Sequence, residues 1–587
     1  MVKTLLGQVK QYKKASLLTP LFTALEVVME VLIPWVTSLI IDRGIEAGNI
    51  QQVYFYGGIM VIMAMASLTF GILAGKYAAS ASSGLACNLR EGMYENIQRF
   101  SFPNIDKYST AGLVTRLTTD VTNVQNAYQM ILRMCTRAPL MLISAMVMCF
   151  FINARLSLVF VAAIVVLGLA LALIILKTTK IFDQVFKKYD ALNESVQENV
   201  SAIRVVKAYV REDYENTRFS KAAANLYRLF VKAEGILAFN NPVMIFVIYG
   251  CILGISWLGA QMIVVGSLTT GELTAMFSYI MNIMMSLMML SMIFVMVTMS
   301  LASCRRIAEV LEEQADIKDP VRPLTDVESG SIDFEQVHFA YKKGSGKETL
   351  SAIDLHIRAG ETIGIIGGTG SGKSSLVNLI SRLYDVTDGK VLVGGRDVRD
   401  YDLEALRNQV AVVLQKNVLF SGTILDNLRW GNEQATLEEC KYACKLACAD
   451  TFIEQLPDKY DTVIDQGGTN VSGGQKQRIC IARALLKKPK VLILDDSTSA
   501  VDTATDARIR NAFISEIPGT TKLIIAQRIS SVEDADRVLV MDEGRVDAFD
   551  TPNNLLKTNA IYQEIYASQV NGGGDFDEGS MEMEAVS

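Results

Sequence analysis

Charge is scarce in this sequence: Asp, Glu, Lys and Arg together make up 20% of 587 residues, against 50% apolar residues, and the mean hydropathy is +0.27. A wholly soluble chain of this length carries more charge, so part of this one belongs in a bilayer. Histidine is nearly missing, with two in the chain. His338 and His356 lie far in sequence from the closely spaced Cys440, Cys444 and Cys448, and a structural zinc normally needs four close ligands. The nine cysteines are therefore expected to be packed, reduced thiols of a cytosolic compartment. The 11 prolines and 41 glycines form no Pro-rich or Gly-X-Y tract, which excludes a collagenous or largely disordered chain. Basic clusters are lacking too. With a net charge of −6, nucleic acid is excluded as the main partner, because counterion release requires clustered Lys and Arg.

What is abundant is long apolar runs. Six segments of the amino-terminal half approach the ~20 residues that span a hydrocarbon core as a helix: residues 15–41, 54–75, 138–153, 156–176, 242–266 and 273–300. No charged residue interrupts Leu156–Leu176 or Leu273–Cys304. The first run is too long for a cleaved signal peptide, carries Glu26 and Glu30, and has no small-residue cleavage site after it. Lys3, Lys10, Lys13 and Lys14 precede it, whereas the loops after spans one, three and five carry only Arg43, Arg155 and no basic residue respectively. That asymmetry predicts a cytoplasmic amino terminus in a multi-pass protein of the cell membrane. Six spans then return the chain to the cytoplasm.

The stretches between spans two and three and between spans four and five are charged and helically periodic (Leu85–Arg99, Leu113–Val124, Lys188–Val210). The membrane helices are therefore expected to continue into the cytoplasm and to turn near Phe102–Ile105 and Tyr209–Tyr214. The expected organisation is an all-α membrane domain (1–304), a linker (305–330), an α/β domain with a mostly parallel sheet (331–570), and an acidic disordered tail (571–587). The α/β expectation rests on short β-branched runs, such as Thr362–Ile366, Val410–Leu414, Val491–Leu494 and Leu523–Ile525, alternating with helical stretches.

The run Thr362–Ile366 leads directly into Gly367-Gly368-Thr369-Gly370-Ser371-Gly372-Lys373-Ser374-Ser375 and then an apolar-periodic helix. Glycines let backbone N–H groups turn toward one anion, Lys373 reaches the β- and γ-phosphates, and the Ser374 hydroxyl can ligate Mg²⁺. A second apolar strand, Val491–Leu494, ends in Asp495, placed to hold the Mg²⁺ water shell. Between them, Ser472-Gly473-Gly474-Gln475 opens a helix and presents N–H donors and a hydroxyl to phosphate.

In this order the motifs resemble those of ABC exporter half-transporters, six spans fused to one nucleotide-binding domain. Gly367–Ser374 matches the Walker A loop, Gln415 the Q-loop, Ser472–Gln475 the signature, Asp495 the Walker B acid and Ser499-Ala500-Val501-Asp502 the D-loop. Tyr341 matches the aromatic that stacks on adenine. The resemblance implies ATP and Mg²⁺ as cofactors, with Ser374, Gln415 and Asp495 around the metal. It also implies a head-to-tail dimer in which each ATP lies between one chain's Walker A and the other's signature.

Two positions depart from the family pattern. Asp496 stands where the family places the glutamate that polarises the attacking water, one methylene too short for good hydrogen-bond reach. Gln527 replaces the switch histidine, and a carboxamide can donate to the γ-phosphate but cannot carry imidazole's charge or shuttle a proton. The site is expected to bind ATP and hydrolyse it poorly, as in the degenerate-site subunit of a bacterial heterodimeric multidrug exporter. The intact signature would serve a non-identical partner that retains the glutamate and histidine. The alternatives are a homodimeric lipid or peptide exporter and a regulatory ATP-binding membrane subunit.

For the cargo, candidate residues lie in the spans. Span six carries Met276, Met281, Met284, Met285, Met288, Met289, Met292, Met296 and Met299. Methionines repack around varied apolar ligands, and equally they pack against lipid or neighbouring helices. Glu26 and Glu30, at i, i+4, share a helix face in a nearly uncharged span. They attract a cationic amphipathic substrate, pair with basic residues of the partner, or accept structural hydrogen bonds. Asn240, Asn241 and Asn282 are further polar candidates for a cavity wall or for interhelical bonds.

Overall fold

The computed structural model describes residues 1–342, 348–496 and 501–570, apart from side chains at scattered helix positions. The acidic segment 571–587 lies outside the described residues. The chain forms two compact units, Met1–Gln98 with Ser109–Glu313, and Arg99–Tyr108 with the residues from Gln314 onward.

The principal helices of the amino-terminal half are α1 (Lys13–Ile40), α2 (Ile50–Gln98), α3 (Phe102–Lys107), α4 (Val121–Ile152), α5 (Ala154–Ser201), α6 (Ile203–Ala208), α7 (Glu212–Leu237), α8 (Asn240–Val264) and α9 (Thr270–Glu312). All but α3 belong to the first unit. Among the described residues, six helical stretches are long and apolar enough to cross a membrane. Their length exceeds what spanning needs. The 49 residues of α2 extend about 74 Å at 1.5 Å per residue, against a hydrocarbon core of about 30 Å.

Local chemistry fixes where the helices start and stop. Asn153 is extended, and its side chain accepts from the N–H groups of Arg155 and Leu156, which separates α4 from α5 with a tight cap. Thr269 and Glu272 form a capping box at the start of α9. Pro20 and Pro34 sit inside α1, where tight helix packing tolerates a lost backbone bond. The linker expected from residue 305 begins later, because α9 runs on to Glu312. Arg305 and Arg306 end the apolar run, but Arg306 Nε donates to the buried Asp120 at 2.7 Å, so a neighbouring carboxylate keeps this turn in the helical packing. The turn expected near Tyr209–Tyr214 is made by α6 and a break at Tyr209–Arg211, with Val210 at φ +52°.

Besides a short antiparallel pairing of Gly422–Thr423 with Val463–Ile464, the described residues of the second unit form a four-stranded and a six-stranded sheet. β1 (Ile332–Phe339), β2 (Leu350–Ile357), β4 (Asp388–Val393) and β5 (Arg396–Asp397) form an antiparallel sheet in the order β2-β1-β4-β5. The other, in the order β10-β9-β3-β8-β7-β6, is built from β3 (Thr362–Gly367), β6 (Val410–Val413), β7 (Val491–Asp495), β8 (Thr521–Ile525), β9 (Arg537–Asp542) and β10 (Arg545–Asp550). It is parallel throughout except for the β9–β10 pair. Every residue of β7 and β8 is buried, which explains the unbroken apolar runs Val491–Leu494 and Leu523–Ile525 within them. Cys440, Cys444 and Cys448 pack in the hydrophobic layer on one side of this sheet.

Candidate functional site

The register of the parallel sheet converts three distant motifs into one site. β3, β8 and β7 are adjacent, with Ile525 paired to both Ile365 and Asp495. The phosphate loop, Gln527 and Asp495–Asp496 therefore all emerge at the carboxyl ends of neighbouring strands, where α/β sheets bind their ligands. Gln415 follows β6 on the next strand, whose Val413 pairs with Leu494.

The loop Gly367–Gly372 leads into α10 (Lys373–Ile380). Glycine is required at its two ends. A Cβ on Gly367, at φ +148°, would stand 2.1 Å from the Met541 carbonyl oxygen, and Gly372 caps the helix at φ +96°. Gly368, Thr369, Gly370 and Ser371 lie between them. Lys373 Nζ reaches back to the carbonyls of Gly367 at 2.8 Å and Gly368 at 2.7 Å. Burial pushes its pKa below the ordinary lysine value, opposed by the carboxylates of Asp495 and Asp496. Ser374 Oγ donates to Asp495 Oδ1 at 3.1 Å. A hydroxyl beside a buried carboxylate supplies the hard oxygen donors that Mg²⁺ takes. Burial raises the Asp495 pKa, the Ser374 hydroxyl lowers it, and the neighbouring Asp496 adds to the rise.

The two departures from the family pattern touch each other. Gln527 Nε2 donates to Asp496 Oδ2 at 2.8 Å. Asp496 itself adopts φ +48° and is held by its N–H to the Ile525 carbonyl at 3.1 Å. Tyr341 is half-exposed, exchanges a hydrogen bond with Ser375 Oγ at 2.9 Å, and lies edge-on to Phe339 and Tyr384. Tyr384, which the sequence reading passed over, donates at 2.6 Å to Asp106 on α3.

The signature residues lie on a different layer. Ser472 caps α11 (Gly473–Leu485) through a capping box with Gln475, with Gly473 and Gly474 in the first turn. That helix packs in the cluster on one side of the sheet, whereas α10 packs in the cluster on the other. Asp502 caps α12 (Thr503–Glu516) by accepting from Thr505 N–H. Ser499 and Ala500 of the expected D-loop lie outside the described residues.

In the first unit, Glu26 and Glu30 are bound by Arg137 of α4. The guanidinium donates from Nη1 to Glu26 Oε1 at 2.5 Å and from Nη2 to both oxygens of Glu30 at 2.8 Å. A basic residue of this chain thus pairs with the two carboxylates, for which a basic residue of the partner is one of three readings of the sequence. Beside the pair is a cavity of about 510 Å³, lined in part by Glu30, Arg137, Met281, Asn282, Met285 and Met289. The three methionines are four residues apart and form one stripe of α9. Met276 and Met284 instead pack in the helical core, so both readings of the methionine-rich span apply to different faces. Glu26 is buried behind the wall, and Asn240 and Asn241 are not among the lining residues. The side chain of Met299 lies outside the described set.

Comparison with known proteins agrees with this architecture. The family described as ABC transporter transmembrane region matches residues 17–304, and the family described as ABC transporter matches residues 350–499. The ABC transporter ATP-binding protein YfiB of Bacillus subtilis is 38% identical over 564 residues, 96% of this chain and 98% of that one. The ATP-dependent lipid A-core flippase of Desulfotalea psychrophila is 32% identical, covering 88% of this chain and 91% of its own. A solved bacterial Atm1-family ABC exporter with ATP bound has the same fold, at a TM-score of 0.82 and 24% identity, over 95% of this chain and 99% of that chain.

Proposed function

The chain belongs to the ABC transporter family, and from that premise we propose that it is one half of an ATP-driven exporter moving amphipathic substrates out of the cytoplasm or inner leaflet by alternating access. ATP would lie on the phosphate loop with its adenine against Tyr341, its phosphates on Lys373 and the loop N–H groups, and the partner's signature closing over it. Ser374, Asp495 and Gln415 would hold Mg²⁺, which supplies neutralisation of phosphate charge. Ser472–Gln475 would do for the partner's ATP what the partner's signature does here. Binding drives the cycle because ATP favours the closed dimer over the open one. The basic residues before α1 support a cytoplasmic amino terminus and nucleotide-binding domain.

We assign this chain the slow site of a heterodimer of multidrug type. The observation that carries the assignment is the Gln527–Asp496 hydrogen bond. It engages one oxygen of an already short side chain, at the position where a base must reach the attacking water. Asp496→Glu combined with Gln527→His is expected to raise turnover at this chain's site in the assembled dimer, by about 10-fold or more given the 10²–10⁴ contributed by a positioned base. Unchanged turnover would remove the chemical basis of the assignment. A stable homodimer of this chain alone turning over at about 1 s⁻¹ or faster would remove the heterodimer.

For the cargo, the cavity combines a flexible methionine stripe, the Asn282 amide and the Glu30–Arg137 pair, a surface suited to varied amphipaths. With Glu26 behind the wall, the cavity presents the Glu30 carboxylate beside the Arg137 guanidinium, and that carboxylate is the group that would meet the head of a cationic amphipath. ATP-dependent accumulation of a cationic dye in inverted vesicles tests this. A second reading, lipid export, draws support from the relative that is a lipid A-core flippase. It predicts translocation of labelled lipid with no dye accumulation.

A further inference from the structure

The carboxy-terminal helix α13 (Ala560–Val570) makes a two-point contact with the loop that follows β8. Gln569 Nε2 donates to the Gln527 carbonyl at 2.8 Å, and Gln569 Oε1 accepts from the Ile529 N–H at 2.8 Å. One carboxamide thus holds the backbone on both sides of Arg528, its NH₂ donating to one peptide group and its oxygen accepting from the other. The helix is itself well anchored. Tyr562 is 2% exposed within the hydrophobic layer, and Asn559 ties the start of α13 to Asp547 at 2.6 Å and to the Tyr562 N–H at 2.8 Å. From this support the contacts run on without a gap: Gln569 grips the Gln527 backbone, and the Gln527 side chain grips Asp496 at 2.8 Å.

A loop held only by its own backbone would sample many orientations at Gln527. Gln569 removes that freedom before nucleotide arrives, which is preorganisation by a supporting residue. We propose that Gln569 is a positioning residue of this ATP site, fixing the 527–529 backbone so that the Gln527 carboxamide is presented to the γ-phosphate. This rests on the reading that Gln527 occupies the switch position. The sequence alone gives no signal for it, since Gln569 lies beyond every motif.

Because the positioned group meets the γ-phosphate, the effect falls on ATP and spares ADP. The test is photolabelling of this chain by 8-azido-ATP in the assembled full-length transporter, competed by ATP or by ADP. Gln569→Met keeps the side-chain bulk and removes both hydrogen bonds. It is expected to raise the ATP concentration needed for half-competition about 3- to 10-fold, the scale of one ordinary net hydrogen bond, while ADP competition stays within about twofold. Gln527→Ala should do the same, and the double variant should be no worse than Gln527→Ala alone. Equal weakening of ATP and ADP, unchanged competition in Gln569→Met, or multiplied effects in the double variant would each overturn the proposal. If Gln527→Ala shifts ATP competition and Gln569→Met does not, only the Gln569 role fails. If Gln527→Ala shifts nothing, the switch-position reading fails with it.

Discussion

Replacing Arg137 by alanine separates two kinds of ion pair in one experiment. Arg137 Nη1 donates to Glu26 Oε1 at 2.5 Å, and Glu26 is 7% exposed; Nη2 donates to Glu30 at 2.8 Å, and the Glu30 side chain is 28% exposed at the cavity. Among the described residues Glu26 Oε2 has no hydrogen-bond partner, so the Arg137 guanidinium on Oε1 is what compensates its charge. Removing one partner of a buried pair costs about 3–5 kcal/mol, because the remaining charge is left in a low dielectric. Removing the half-exposed contact costs about 1 kcal/mol or less. Arg137→Ala should therefore be severely destabilising and Glu30→Gln mild. Arg137→Ala with Glu26→Gln should recover about half or more of the loss, since the stranded charge is gone. The assay is thermal inactivation of the full-length protein in nanodiscs, read as a rate at fixed temperature because unfolding of such chains is irreversible. If the double variant is as unstable as Arg137→Ala, or Glu30→Gln equals Arg137→Ala, the buried-charge argument is wrong.

Lys373→Ala should reduce ATP photolabelling of this chain by about 10- to 100-fold, from loss of a charge-assisted contact to phosphate, and normal labelling would contradict the phosphate-loop assignment. Asp495 has its pKa raised by burial and by Asp496, so as pH falls it takes up a proton earlier than an ordinary aspartate and competes with Mg²⁺. The Mg²⁺ needed for half-maximal labelling should rise as pH falls from neutral toward the aspartate range, and Asp495→Asn should flatten that rise; a wild-type profile no steeper than that of Asp495→Asn would refute it. By linkage, the same shift makes this carboxylate a stabilising influence at low pH that is lost as pH rises through its raised pKa, a trend that added Mg²⁺ should offset. Met285→Trp places an indole in the cavity and should lower dye accumulation with ATP photolabelling unchanged; unaffected accumulation would take the cargo path away from this cavity.

The membrane spans were legible because lipid demands long apolar runs, and the phosphate loop because its glycines have few other uses. The parallel strands were legible because both faces are buried, so Val491–Leu494 carries no polar alternation. Arg137 was not found. Which helix faces Glu26 depends on packing between segments more than 100 residues apart, and periodicity within one span contains no such information. The signal that could have raised it is Arg133 and Arg137 one turn apart, just before an otherwise uncharged span. The extension of α9 past residue 304 was obscured in the same way. Arg306 looks like the end of an apolar run until Asp120 is brought against it. Gln569 was invisible because its chemistry consists entirely of contacts to backbone groups, which leave no side-chain pattern.

The assignment of Arg99–Tyr108 to the second unit has a consequence for how the protein can be dissected. The polypeptide passes from one unit to the other after Gln98, returns after Tyr108, and crosses again after Glu313. A single cut near residue 313 would not release an intact ATPase domain. A fragment starting at Gln314 would lose Asn104, which donates to the Gln314 carbonyl at 2.9 Å and accepts from Asp316 N–H at 3.1 Å, and would also lose the Asp106 acceptor of Tyr384. Supplying α3 in trans as a peptide would repair such a fragment, and its affinity would measure directly what the Arg99–Tyr108 excursion contributes to the second unit.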